Sequence, residues 1–167
     1  MTQHKPDTDP ADGHALRRGL GMFATGITVV TAHTQEGAPI GLTVNSFNAV
    51  SLHPPLVVWS LSIRLPIRHA LEGCEYYAVN VLAEDQEAIS RRFASKESDL
   101  FHGIDWQPGL NGAPLLEGCC AHFEVLNASR HPGGDHILFI GQIERFARFD
   151  REPLVYFRGK YRQLANP

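Results

Sequence analysis

Short stretches of β-branched and aromatic residues, each closed by a glycine or proline signal, recur along this chain and limit what it can fold into. Residues 27–34 (Ile-Thr-Val-Val-Thr-Ala-His-Thr) are followed by Glu36, Gly37, Ala38 and Pro39 and then by a second run over 40–44. The pair reads as a β-hairpin. Pro54 and Pro55 precede residues 56–61, a compact apolar run with the length and branching of a buried strand. Residues 76–82 return to strand character. The last third repeats the pattern: 120–126, a turn at Pro132, Gly133 and Gly134, then 137–149, a break at Glu152 and Pro153, and 154–157. Between these lie only short helical signals. Asp12 is placed to cap a helix that carries Leu16, Leu20 and Phe23 and ends at Gly26. Pro66 opens a brief helix through Leu71, and Asp85 caps a third that presents Ile89 and Phe93 on one side. Short punctuated strands with few helices favour a mainly β, antiparallel barrel over a parallel α/β sheet.

A chain of 167 residues accommodates one domain with a real core, whereas two domains would each be marginal. Residues 1–11 are polar, carry Pro6 and Pro10, and read as a disordered lead to a domain over 12–167. That lead lacks the apolar core of a secretory signal, and no stretch approaches the roughly 20 apolar residues of a membrane span. No membrane association and a cytoplasmic location are expected. The three cysteines, Cys74, Cys119 and Cys120, form neither a disulfide framework nor a zinc spacing, which agrees with a reducing compartment. Cys119 and Cys120 are expected on opposite faces of one strand, as packing residues. A net charge of -3 removes nucleic acid from the expected partners. The connection over 95–118 is long enough that function or a dimer contact is a better expectation than an idle loop.

Two polar clusters stand out in apolar surroundings. Thr43, Asn45, Ser46, Asn48 and Ser51 offer donors and acceptors that suit a ligand with carbonyls, ring nitrogens and a polyol. They equally suit a solvated strand and turn bonded to their own backbone. Ser60 and Ser62 alternate with apolar residues at a strand end and Arg64 follows, a reasonable phosphate cradle or simply a solvent-facing edge. Nine histidines raise the question of a metal, but none stands at a recognised ligand spacing. There is no G-x-S-x-G elbow and no local signature for a catalytic thiol. No G-x-G-x-x-G lies between a strand and a helix, so a dinucleotide would have to bind by a route other than a Rossmann site.

Five ordered blocks carry a resemblance to a known family. They are Phe-Ala-Thr-Gly-Ile-Thr-Val-Val-Thr at 23–31, Gly-Leu-Thr-Val-Asn-Ser-Phe-Asn-Ala-Val-Ser-Leu-His-Pro-Pro-Leu at 41–56, and Tyr-Ala-Val-Asn-Val-Leu at 77–82. Gly134, Asp135 and His136 with Gly141, and Pro-Leu-Val-Tyr at 153–156, complete the set. Over 23–164 the sequence resembles the flavin reductase-like family with the FMN-binding split barrel, the reductase components of two-component flavin monooxygenases. The resemblance implies a six-stranded Greek-key barrel with flanking short helices, working as a homodimer with flavin sites near the subunit interface. It implies FMN as cofactor, with FAD possible, and NADH or NADPH as co-substrate.

By the same resemblance, Thr43, Asn45 and Ser46 match the flavin-contacting segment. Ala49, Val50 and Ser51 offer backbone groups to the isoalloxazine edge, and Ser60 and Ser62 face ribityl and phosphate. Arg92 and Phe93 match a helix that closes over the phosphate and ring edge, Tyr161 falls in a C-terminal segment near the flavin, and His136 matches the histidine on the nicotinamide side. Where relatives carry further small hydroxyl or amide residues, this chain has Ile63, Arg64, Leu65 and Pro66. Either Arg64 replaces neutral phosphate donors with a charged one, or the phosphate is held elsewhere. The implied activity is NAD(P)H-dependent flavin reduction that supplies a partner monooxygenase. A non-catalytic flavin carrier or sensor, or a reductase with ferric iron as acceptor, are the alternatives.

Overall fold

The β-branched runs form strands: Pro55–Ser62 alternates in burial, whereas Thr28–His33 and Tyr76–Val81 are buried almost throughout, on both faces. The computed structural model describes residues 9–165, so residues 1–8 of the lead expected over 1–11 lie outside the described residues. Asp9 to Ala11 enter a hydrogen-bonded turn, with Ala11 N on the Asp9 carboxylate at 2.9 Å. The helices are α1 (Gly13–Leu20), α2 (Arg68–Gly73) and α3 (Glu87–Phe93). The strands are β1 (Thr25–Gly26), β2 (Thr28–His33), β3 (Pro39–Val44), β4 (Asn48–Leu52), β5 (Pro55–Ser62), β6 (Tyr76–Val81), β7 (Trp106–Pro108), β8 (Pro114–Leu116), β9 (Ala121–Gly133), β10 (His136–Arg148), β11 (Val155–Phe157) and β12 (Lys160–Arg162).

The main sheet runs β3-β2-β6-β9-β10-β5-β4, with every neighbouring pair antiparallel. It has seven strands where six were expected. The addition is β4, which folds back on β5 through the turn at His53 and Pro54. The sheet is rolled: Leu42 and Val44 of β3 share one core with Val57, Trp59 and Leu61 of β5, although these strands stand far apart in the sheet order. Trp59 stacks on Phe139 at 4.4 Å in the middle of that core.

A second core, with Ile27, Val29, Leu82, Phe93, Leu116, Cys119 and Leu154, joins α3 to a small sheet of β1, β11 and β12. The long connection over 95–118 packs against it through β7 and β8. Buried Asn80 pins this arm, accepting from Leu116 N at 2.8 Å and donating to Val29 O and Thr31 Oγ1 at 3.0 Å each. A buried amide with its capacity filled in this way holds one arrangement, since leaving it unpaired would cost a desolvation penalty.

Several local expectations change. Asp12 does cap α1, accepting from His14 N and Ala15 N, but the helix stops at Leu20 rather than Gly26 because Thr25 and Gly26 pair with Tyr156 and Val155. Its apolar face is largely open, with Leu16 45% and Leu20 68% exposed, and Phe23 beyond its end is 73% exposed. At α3 the cap position is Gln86, not Asp85. Gln86 Oε1 accepts from Ala83 N at 2.9 Å, while Asp85 pairs with Arg151. Cys119 and Cys120 precede β9 instead of lying in it, and β9 runs on through Pro132 and Gly133, which leaves Gly134 and Asp135 as the turn. Among the described residues no helix is long and apolar enough to cross a membrane, and no group of histidine, cysteine and carboxylate side chains is placed to hold a metal.

Candidate functional site

The outer face of β4, β5 and β10 gathers most of the polar residues singled out by sequence. Val57, Trp59 and Leu61 point into the core, so Ser60 and Ser62 face outward by the period of two. The antiparallel register sets Ser62 opposite His136, Ser60 opposite Leu138 and Val58 opposite Ile140. Residues directly opposite share a face, so the row reads polar at its Ser62–His136 end and apolar toward Ile140.

Ser46 closes the other side of this strip. Its hydroxyl accepts from Ser60 N at 3.0 Å and donates to Ser60 O at 3.2 Å, which ties the chain just after β3 to β5 where β4 has already diverged. Asn45, Ala49 and Val50 are exposed and Ser51 is half-buried. Pairing of β4 with β5 is irregular between Ala49 and Ser51, and Val50 falls outside it. As β4 is the terminal strand of its sheet, its outer edge pairs with no further strand, although Ala49 N already donates to Asn48 Oδ1 at 2.8 Å.

At the far end, His136 Nδ1 lies 2.7 Å from Asp135 Oδ1. Ile63 N donates to Asp135 O at 3.1 Å, so the turn is fastened to the end of β5. The hydrogen bond from His136, then its charge, and further out the Arg64 guanidinium hold the Asp135 carboxyl below the usual range. Arg64 is exposed, and its backbone N–H makes a long 3.4 Å bond to Ser62 Oγ.

A second group forms around α3. Thr43 Oγ1 donates to Ser90 O at 2.7 Å, and Ser90 Oγ shares a 2.8 Å bond with Tyr161 Oη. The Arg91 guanidinium covers the Tyr161 ring at 4.8 Å. Thr43 and Tyr161 therefore brace α3 from two sides. Ser90 was not singled out from sequence, although it stands three residues before Phe93 and so shares its helix face.

Two of the expected site residues are engaged within the fold. Phe93 is only 2% exposed. Its ring fills the space over Gly41, where a Cβ would stand 2.8 Å from it, and meets Phe101 edge-on at 5.0 Å. A ring committed to the core has no surface to offer a ligand, and it anchors α3 instead. Arg92 turns its guanidinium to the following loop, where Nη1 donates to His102 O at 2.6 Å. Thus Ser60, Ser62, Arg64 and His136 come together on one strip with Asn45, Ser46 and residues 49–51 beside it, while Arg92 is engaged elsewhere.

Residues 20–165 match the model of the "Flavin reductase like domain" family. The chain is 41% identical over 150 residues to the FMN reductase (NADH) SmoA of Agrobacterium fabrum, covering 90% of this chain and 85% of that protein. It is 40% identical over 153 residues to HsaB of Mycobacterium tuberculosis, the reductase subunit of a flavin-dependent monooxygenase, covering 90% and 81%. Among solved structures, the NADH:FAD oxidoreductase SgcE6 of Streptomyces globisporus, in complex with NAD and FAD fragments, aligns with a TM-score of 0.90 at 39% identity, covering 95% of this chain and 96% of that one.

Proposed function

This chain belongs to the flavin reductase-like family, and on that premise we propose how its own residues divide the work. It is an NAD(P)H-dependent flavin reductase whose reduced flavin serves a partner monooxygenase. Transfer of hydride from nicotinamide C4 to flavin N5 is chemistry that the two bound rings supply themselves, so the protein must stack, orient and shield them. No catalytic acid–base dyad is required.

The observation that carries the assignment of roles is the outer row with His136 opposite Ser62, flanked by the open edge of β4. Its donor set fits a flavin. Asn45, Ser46 and the irregular backbone over 49–51 suit the carbonyls and nitrogens of the isoalloxazine edge, and Val58 and Ile140 give the ring an apolar floor. Ser60 and Ser62 suit the ribityl chain, and Arg64 supplies a charged donor at the phosphate end. His136, at the end of the same strip, contacts the nicotinamide. Thr43, Ser90 and Tyr161 hold α3 beside this surface.

We place the working form as a homodimer. Exposed Leu16, Leu20, Met22 and Phe23 on one side and Leu52, 79% exposed, on another leave more apolar surface than a monomer needs. The free state of all three cysteines suits the cytoplasm.

The test is an anaerobic comparison of two variants. Asn45→Ala should raise the flavin dissociation constant measured by fluorescence titration. His136→Ala should leave that constant nearly intact and slow single-turnover reduction by NADH. Loss of flavin binding in His136→Ala, or an unchanged reduction rate at every NADH concentration, would overturn this division of the site.

A further inference from the structure

We propose that the groove between α1 and the β11–β12 turn binds the phosphate group of a nucleotide through Arg17 and Arg158. The groove measures about 580 Å³, and its lining includes His14, Arg17, Gly21, Met22, Arg158 and Gly159. No described residue lining it is acidic, in a chain with 18 acidic and 15 basic residues. A cleft of one sign concentrates ligands of the other. It is concave and of small-molecule size, unlike the flatter faces that proteins present to one another. The choice of a nucleotide rests on the reductase activity stated above, whose flavin and nicotinamide substrates carry phosphate, and not on where the flavin ring lies. The groove uses none of β4, β5 or β10 and so is built apart from the strip that ends at Arg64.

Arg158 is the less expected of the two cations. It takes φ of 51° and Gly159 follows at 74°, a turn whose first position glycine or asparagine would fill with less strain. The turn is clamped to the end of α1, because Arg158 N donates to Gly21 O at 2.9 Å. Its guanidinium lies 5.1 Å from the centre of the Phe157 ring, and Nε donates to Met22 Sδ at 3.2 Å, a weak acceptor. The two terminal nitrogens have no acceptor among the described residues. They form the fork from which phosphate oxygens accept in pairs. Arg17, in the last turn of α1, also offsets the helix dipole. That role accounts for one cation and leaves Arg158, which comes from another element, unexplained. Met22 is 53% exposed beside Arg158 and offers a polarisable apolar contact for a base.

The experiment titrates full-length protein with ADP and with inorganic pyrophosphate by calorimetry at low salt, in the parent and in Arg17→Ala, Arg158→Gly and Arg64→Ala. Arg158→Gly removes the cation and relieves the left-handed strain together. Its Tm should therefore hold or rise while ADP affinity falls roughly ten-fold, the effect of losing a charged hydrogen bond. Arg17→Ala should weaken ADP similarly, and added salt should weaken the parent. Arg64→Ala should bind ADP like the parent. Three further arms name the source of the phosphate. A loss of FAD but not FMN affinity in Arg158→Gly assigns the groove to the adenylate end of FAD, and a raised apparent dissociation constant for NADH assigns it to the nicotinamide dinucleotide. A loss confined to ADP assigns it to a free nucleotide. No binding of ADP or pyrophosphate to the parent at millimolar concentration overturns the proposal. So does binding that Arg17→Ala and Arg158→Gly leave unchanged, or that Arg64→Ala abolishes. Failure of the Asn45→Ala and His136→Ala test would remove the flavin placement and leave the ADP titrations standing.

Discussion

Adding one methyl group at Gly141 should damage the fold more than most changes at the site would. Gly141 lies on β10 with its α-carbon facing the core, opposite Val57 on β5 and within a break in the pairing with β9. A Cβ there would fall far inside van der Waals contact with Tyr77 Oη and Val125 Cγ1, and 3.0 Å from Tyr77 Cζ. Neither neighbour can retreat easily. Tyr77 and Val125 are buried, and the Tyr77 ring is set edge-on to Trp59 at 5.8 Å, which is stacked on Phe139. Overpacking a close-packed core costs about 1–3 kcal/mol, and two rigid obstacles place Gly141→Ala near 3 kcal/mol, or a fall in Tm of about 6–12 °C for a chain of this length. Tyr77→Phe provides the control. It removes one obstacle, and because the buried Tyr77 hydroxyl has at most a poorly formed hydrogen bond with the Trp59 indole, its loss alone should cost little. Urea denaturation of the flavin-free protein should therefore show Gly141→Ala costing about half as much in the Tyr77→Phe background. A Gly141→Ala midpoint within about 0.5 kcal/mol of the parent, or an identical cost in both backgrounds, would refute the packing argument.

Arg64→Ala should weaken FMN binding about ten- to a hundred-fold while riboflavin binding barely changes, whereas Arg92→Ala should leave the preference for FMN intact because its guanidinium already serves the His102 carbonyl; an unchanged FMN-to-riboflavin ratio in Arg64→Ala would move the phosphate site elsewhere. Burial pushes the Cys119 thiol from 9.0 up to about 12. A pKa raised on folding gives stability that is fully present below the unfolded value and lost as pH rises through the folded one. Stability should thus decline between about pH 9 and 12, less steeply in Cys119→Ala, and native Cys119 should resist thiol reagents at pH 8; rapid labelling there would contradict its burial. Light scattering at micromolar concentration should report a dimer, and a fully active monomer would remove the argument from the exposed apolar surface.

Local chemistry made much of this architecture readable. The β2–β3 hairpin follows from β-branching on both sides of a Gly37 turn, and β5 from an apolar run behind two prolines. The ligand-suited segment over 41–51 was visible because hydroxyl and amide side chains in an apolar stretch have few packing roles. Strand β4 left little trace, since none of its residues is fully buried, and apolar periodicity reports only burial. Strand β12 is likewise hidden behind a two-residue turn in which Arg158, with φ of 51°, takes a left-handed conformation that glycine would adopt more cheaply.

Tertiary structure decided which candidates can act together. Phe93 is apolar on a helix in either reading, and only the ring's position over Gly41 makes it core rather than ligand contact. Arg92 and Arg64 are alike as residue types, and their separation into a loop brace and an open cation depends on where α3 and the end of β5 point. The pairing of Ser62 with His136 arises from the register between β5 and β10, two strands distant in the chain. Periodicity and turn chemistry are properties of neighbouring residues, so a sequence displays them directly. Register, burial and the meeting of distant strands are set by how the whole core packs, and no local segment contains that information.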